Sequence, residues 1–201
     1  MNRKGQKLPA EPLTPAESQA LIAACSPNCP TGIRNRALIA ILWRAGLRIS
    51  EAVALYPKDI DDDGTLRILH GKGDKARTVA IDKEALDTIR RWMDERKRLG
   101  LTRAPLFCTL KGTAIKADYV RHLLPRLRKK AKIEKRCHPH GMRHSYACDL
   151  LDEGHDIRVI QSALGHERLE TTAIYLDHLK PQRTIEALKA RQWPMEEKPD
   201  N

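Results

Sequence analysis

Six side chains with related chemistry are spread along the chain: Arg48, Lys72, His140, Arg143, His166 and Tyr175. Two guanidinium groups, an ammonium, two imidazoles and a phenol suit one kind of object, a phosphodiester under attack. A phenol, with an ordinary pKa of about 10, is a weak nucleophile at neutral pH and needs cations around it and a group to take its proton. A phosphate in its transition state carries excess negative charge, which planar guanidinium forks match two oxygens at a time. Whether the six can act together depends on the elements that carry them.

His140-Gly-Met-Arg143 places two polar groups three apart, on one face of the first turn of a helix expected over 139–153. Unpaired N–H groups at a helix start favour an anion, and Arg143 adds a fixed charge there. Ala45-Gly-Leu-Arg48 sets a second arginine just past a helix end, with Glu51 three residues on to orient it. Lys72, between Gly71 and Gly73, falls at a hairpin tip from which an ammonium reaches a leaving oxygen. Each has a plainer reading. Arg48 would form a helix-terminal ion pair with Glu51 on the surface, Lys72 would be a solvated turn residue, and His140 a helix-capping contact. His144 points off the His140 face and reads as support or core. Lys75 and Arg77 are neighbouring cations able to stand in partly for Lys72.

The remaining pattern is mainly α with a small antiparallel β-sheet, an α+β arrangement. Thr14-Pro-Ala-Glu17 reads as a capping box that starts a short helix. A turn over 26–32 with two prolines precedes an apolar helix over 33–45, which Gly46 ends. A short helix over 50–55 stops at Tyr56-Pro57. Alternation marks strands over 65–70 and 76–81, with Leu66 and Ile68 on one side and Val79 and Ile81 on the other. A charged helix follows over 83–99, then a brief strand over 106–110 and a basic helix over 117–131 kinked at Pro125. Helices over 139–153 and 157–164 end at Gly154 and Gly165. Tyr175 falls in a short helix begun near Thr171 or Thr172, and a terminal helix spans 181–191. The expected layout is a flexible N-terminal tail over 1–11, one domain over 12–180, and a C-terminal helix and tail over 181–201.

Lys and Arg number 37 against 26 Asp and Glu, a formal net charge of +11. That excess suits a polyanion, nucleic acid first, because neutralised phosphate supplies most non-specific affinity. A membrane partner is disfavoured, since no apolar run approaches the roughly 20 residues of a spanning helix. Five cysteines with no apolar leader before them read as reduced thiols in a cytoplasmic protein. Cys25 and Cys29 have knuckle-like spacing, but no second pair completes four metal ligands.

Taken together, Ala45-Gly-Leu-Arg48-Ile-Ser-Glu51, Gly71-Lys72-Gly73-Asp74-Lys75, His138-Pro-His140-Gly-Met-Arg143-His144, Leu164-Gly165-His166 and Thr171-Thr172-Ala173-Ile174-Tyr175 resemble, in order and spacing, the tyrosine recombinase (phage integrase) family. The likeness runs from about Leu13 to Tyr175 and covers the family's catalytic domain. It implies site-specific DNA recombination of the integrase or invertase type, with no metal, nucleotide or other cofactor. Tyr175 would attack the scissile phosphate and form a 3′-phosphotyrosine. Arg48 and Arg143 would clamp the non-bridging oxygens, and His166 would donate a further hydrogen bond. His140 would assist proton movement near the nucleophile, Lys72 would protonate the leaving 5′-oxygen, and Glu51 would orient Arg48. The resemblance further implies double-stranded DNA as partner, a homo-tetramer on synapsed DNA, a monomer or weak oligomer when free, accessory DNA-bending proteins, and a nucleoid-associated place in the cytoplasm.

Many members carry a helical core-binding domain before the catalytic one. Here about a dozen residues precede the first helix, so a short form, natural or truncated, is expected. The segment 179–188 would dock on a neighbouring subunit or on its own domain. Three competing readings remain: a type IB topoisomerase, which uses similar residues; a metal hydrolase built on Cys137, His138, His140 and His144; and a non-catalytic DNA-binding module.

Overall fold

The computed structural model describes residues 11–69, 76–165 and Lys189. Within them the chain forms helices α1 (Pro15–Ala23), α2 (Pro30–Arg44) and α3 (Ile49–Ala54), a 3-10 turn (Pro57–Asp59), strands β1 (Thr65–Ile68) and β2 (Arg77–Ala80), and helices α4 (Lys83–Arg98), α5 (Ala117–Lys130), α6 (Pro139–Asp152) and α7 (Ile157–Leu164). The expected mainly helical architecture with a small antiparallel sheet is what is found. The hairpin tip at Gly71–Asp74, the helix around Tyr175 and the terminal helix over 181–191 lie outside the described residues.

α2 is the axis of the fold. Along it Ala37 to Leu42 are all at most 2% exposed, so it is apolar around its whole circumference. A helix of that kind must be covered on every side, and α1, α3, α4 and α6 pack on it. It begins three residues earlier than the apolar pattern alone suggests, because Pro30 is tolerated in a first turn where no N–H is needed. α4 contributes Leu86, Ile89 and Trp92. α5 contributes Val120, Leu123, Leu124 and Leu127, and Pro125 sits within it without ending it. A smaller cluster of Tyr146, Ala147, Ile160 and Leu164 joins α6 to α7.

Two expectations are corrected. The register pairs Leu66 with Val79 and Ile68 with Arg77, and directly opposed residues of an antiparallel pair share a face. Leu66, Ile68, Val79 and Ile81 therefore all face the core, where each is at most 7% exposed. No strand forms over 106–110; there is a single bridge between Cys108 and Ala114. Leu106, Phe107 and Cys108 are buried in succession, not alternately. Side chains take two of their carbonyls, Trp92 Nε1 donating to Leu106 O at 2.7 Å and Arg34 Nη1 to Cys108 O at 2.9 Å, while Phe107 O accepts from Ile115 N at 3.1 Å.

The turn after α2 shows why one glycine is needed. Gly46 has φ +57°, and a Cβ there would lie 2.1 Å from Tyr146 Cδ1. Its carbonyl also receives Arg143 Nη1 at 2.6 Å. Gly46→Ala is expected to destabilise the fold by about 2–4 kcal/mol, combining left-handed strain with overpacking against the ring. Urea unfolding measures this, with Gly100→Ala as a control whose Cβ would meet nothing within 4 Å despite φ +72°.

Candidate active site

Three arginines from three elements meet at the C-terminal turn of α7. Arg77 Nε donates to Ala163 O at 3.2 Å, Arg143 Nη2 donates to Leu164 O, and Arg48 Nη2 donates to Gly165 O at 3.3 Å. The last carbonyls of a helix have no intrahelical partner and carry the negative end of its dipole, so cations gather there for a physical reason. Gly165 ends the helix with φ +62°, the left-handed conformation favoured just past a helix end. The next residue in the sequence is His166.

Glu51 ties two of these arginines together. Its carboxylate accepts from Arg48 N at 2.8 Å and Arg48 Nη1 at 2.8 Å. It also accepts from Arg77 Nη1 at 2.9 Å and Arg77 Nη2 at 2.8 Å. The Glu51 side chain is 1% exposed, against 25% for Arg48 and 11% for Arg77. The simple surface ion pair is therefore replaced by a buried carboxylate with four donors. Burial pushes this carboxyl up, but the Arg77 fork and the Arg48 backbone and side-chain N–H groups outweigh it and hold the pKa at about 2.

A carboxyl depressed in the folded state contributes stability that is complete above its ordinary value near 4.5 and is lost as pH falls through about 2. Unfolding free energy should therefore drop by on the order of 3 kcal/mol across that window on account of Glu51. Other carboxylates titrate there as well. Subtracting the profile of Glu51→Gln from that of the unsubstituted protein isolates this contribution.

α6 supplies Arg143 and His140. Arg143 is 3% exposed, held between Gly46 O and Leu164 O. His140 lies one turn earlier and is exposed. Partial desolvation of the ring and then the Arg143 charge lower its pKa from the ordinary value, which favours the neutral imidazole able to take a proton. The capping contact considered for His140 belongs to His138, whose Nδ1 accepts from Gly141 N at 3.0 Å. The two rings stack with centroids 6.3 Å apart. His144 is 2% exposed and belongs to the core, as its position in the helix suggests.

Of the candidate residues, Arg48, Glu51 and Arg143 are brought together and His140 is placed on the same helix as Arg143. Lys72, His166 and Tyr175 lie outside the described residues. Two readings change. Arg77 does not stand in for Lys72: its guanidinium is bound to Glu51 and Ala163. The Cys137, His138, His140 and His144 set is not gathered for a metal, and among the described residues no three His, Cys, Asp or Glu side chains are. All five cysteines are thiols, and burial pushes Cys25 and Cys137 up to about 11, so those two stay protonated at neutral pH. The arginine cluster does not line the groove of about 550 Å³ beside Trp43 and Arg44. That groove is rimmed by Asp82, Glu84, Asp149, Asp152 and Glu153 and would repel a phosphate.

Helices on an α2 axis, a small hairpin, and arginines after α2 and in α6 that converge on one helix end define the class. The chain belongs to the phage integrase family, whose model matches residues 11–182. It is 37% identical over 186 residues to the tyrosine recombinase XerD of Ralstonia nicotianae, covering 90% of this chain and 60% of that protein. The crystal structure of XerA recombinase superposes with a TM-score of 0.81 at 29% identity, over 94% of this chain and 68% of that one. XerH site-specific recombinase, bound to palindromic difH substrate in a post-cleavage complex, gives 0.76 at 32% identity, over 94% of this chain and 55% of that one. The chain thus spans about three fifths of the length of the curated relative named above. Among the described residues no helix is long and apolar enough to cross a membrane.

Proposed function

We propose that residues 12–180 are the catalytic domain of a site-specific DNA recombinase that cuts and rejoins double-stranded DNA through a covalent 3′-phosphotyrosine. The observation that carries this reading is the meeting of Arg48 and Arg143 at two consecutive carbonyls, that of Leu164 at the end of α7 and that of Gly165 just past it, which His166 follows in the sequence. Membership of the family, relatives that are tyrosine recombinases, and a similar structure held on its DNA substrate support it.

In this mechanism the Tyr175 hydroxyl oxygen bonds to phosphorus and its proton passes to neutral His140. The bond from phosphorus to the 5′-oxygen breaks, and Lys72 gives that oxygen a proton, leaving a free 5′-hydroxyl. Arg48, Arg143 and His166 hold the charge that builds on the non-bridging oxygens. Fixed donors of this kind need no reorganisation during reaction, which is the main source of their effect. One ester replaces another, so the step is nearly isoenergetic and reverses when a 5′-hydroxyl attacks the phosphotyrosine. The protein acts as a tetramer on synapsed DNA and associates weakly when free, with DNA-bending proteins assisting.

Incubation with a duplex carrying a nick beside the scissile phosphate, so that the 5′-hydroxyl fragment diffuses away, should leave a protein–DNA adduct on a denaturing gel. Tyr175→Phe should give none while still binding the duplex. Adducts of equal yield with Tyr175→Phe would remove the proposed nucleophile.

A further inference from the structure

Arg77 opens β2 on the same face as Val79 and Ile81, opposite Ile68, so its charge points inward from a core-facing position. A guanidinium there needs partners, and it has three. Nη1 and Nη2 take both oxygens of Glu51, and Nε takes Ala163 O. Its stem lies against Gly165: a Cβ on that glycine would sit 2.9 Å from Arg77 Cδ and 3.1 Å from Nε. The same carboxylate that receives Arg77 also receives Arg48, through one backbone and one side-chain N–H. Where Arg77 holds Glu51 therefore sets the edge that Arg48 turns toward it, and with that the direction in which the rest of the Arg48 guanidinium faces.

We infer that Arg77 is a positioning residue, which fixes Arg48 for the phosphate by holding Glu51 with both arms of its fork and the Ala163–Gly165 turn with its Nε and stem. This deepens the recombinase reading and rests on it. It also replaces the idea of Arg77 as a substitute proton donor. A guanidinium stays protonated at every accessible pH, and this one is bound on three sides.

The test compares single-turnover adduct formation on the nicked duplex for the unsubstituted protein, Arg77→Gln, Arg77→Lys and Glu51→Gln. Arg77→Gln should lower the rate at saturating DNA by about 10²-fold, the usual consequence of an ångström-scale misplacement, with half-saturating DNA changed less than about twofold. Arg77→Lys should recover only part of the rate, because an ammonium cannot hold two carboxylate oxygens and a carbonyl in one plane. In a Glu51→Gln background, Arg77→Gln should add less than about threefold, since both act through one contact.

A duplex whose leaving 5′-oxygen is replaced by sulfur needs no proton donor. It should remain slow with Arg77→Gln. Three results overturn the inference: an unchanged rate in Arg77→Gln, full recovery on the sulfur substrate, or losses that multiply in the Glu51→Gln background while DNA binding weakens in step. If Arg77→Gln does not fold, Arg77→Lys carries the same measurements. Adducts from the unsubstituted protein with no defect in Arg77→Gln would sink the positioning role alone. No adduct from the unsubstituted protein would sink the recombinase reading and this role together.

Discussion

Arg143→Gln should slow covalent DNA cleavage by about 10²–10³-fold, the range expected when one preorganised donor to a developing oxyanion is removed. Arg143 is also part of the fold. Its guanidinium joins Gly46 O, just after α2, to Leu164 O at the end of α7, and the side chain is 3% exposed. A glutamine cannot span both carbonyls. At least one is left buried without its donor, at about 1–3 kcal/mol. The two effects separate experimentally. Urea unfolding reads the loss of stability, and the cleavage rate at a temperature where the variant is fully folded reads the loss of transition-state binding. A rate within about threefold of the unsubstituted protein under those conditions would remove Arg143 from the chemistry and leave it a structural tie.

Glu51→Ala should be among the most destabilising single substitutions, at about 3–5 kcal/mol, because it strands two largely buried guanidinium groups without a counter-charge. Burial decides this. The Lys83–Asp87 pair is just as short, at 2.6 Å, but its side chains are 80% and 48% exposed, so Lys83→Ala should leave the urea midpoint nearly unchanged. Urea midpoints for the two variants test the contrast directly. Glu51→Ala should also lose most adduct formation, since Arg48 then has only Gly165 O among its side-chain contacts described above to hold its direction.

Much of this arrangement is legible in the chain before folding is considered. The helix ends at Gly46 and Gly165, the pairing of Arg48 with Glu51, and the place of His140 and Arg143 in one helical turn all follow from local rules of capping and periodicity. So does the helix-rich class with one hairpin. Arg77 was legible too, though in another way. Alternation over 77, 79 and 81 puts it on the buried face of its strand, and an inward charge demands a partner. Reading it only as a neighbour of Lys72 missed that, because sequence proximity says nothing about which face a side chain takes.

What could not be read locally is long-range. That Glu51 serves Arg77 from 26 residues away, or that Gly46 lies against Tyr146, depends on how α2, α3, β2, α6 and α7 pack. The absent strand over 106–110 has a similar cause, since Trp92 and Arg34 take carbonyls that a strand partner would have used. The helix cap went to His138 and not His140 because Pro139 opens the helix and leaves the residue before it to receive the free N–H.

The most direct measurement is the structure of the protein on a duplex containing its cleavage site, with Tyr175→Phe to hold the uncut state. We expect the Arg48 and Arg143 guanidinium groups on the non-bridging oxygens of one phosphate at hydrogen-bonding distances of about 2.7–3.0 Å, with the ring of residue 175 in line with the leaving 5′-oxygen. A phosphate bound to the two arginines with residue 175 on a remote face of the complex, and no neighbouring subunit supplying another tyrosine there, would contradict the account.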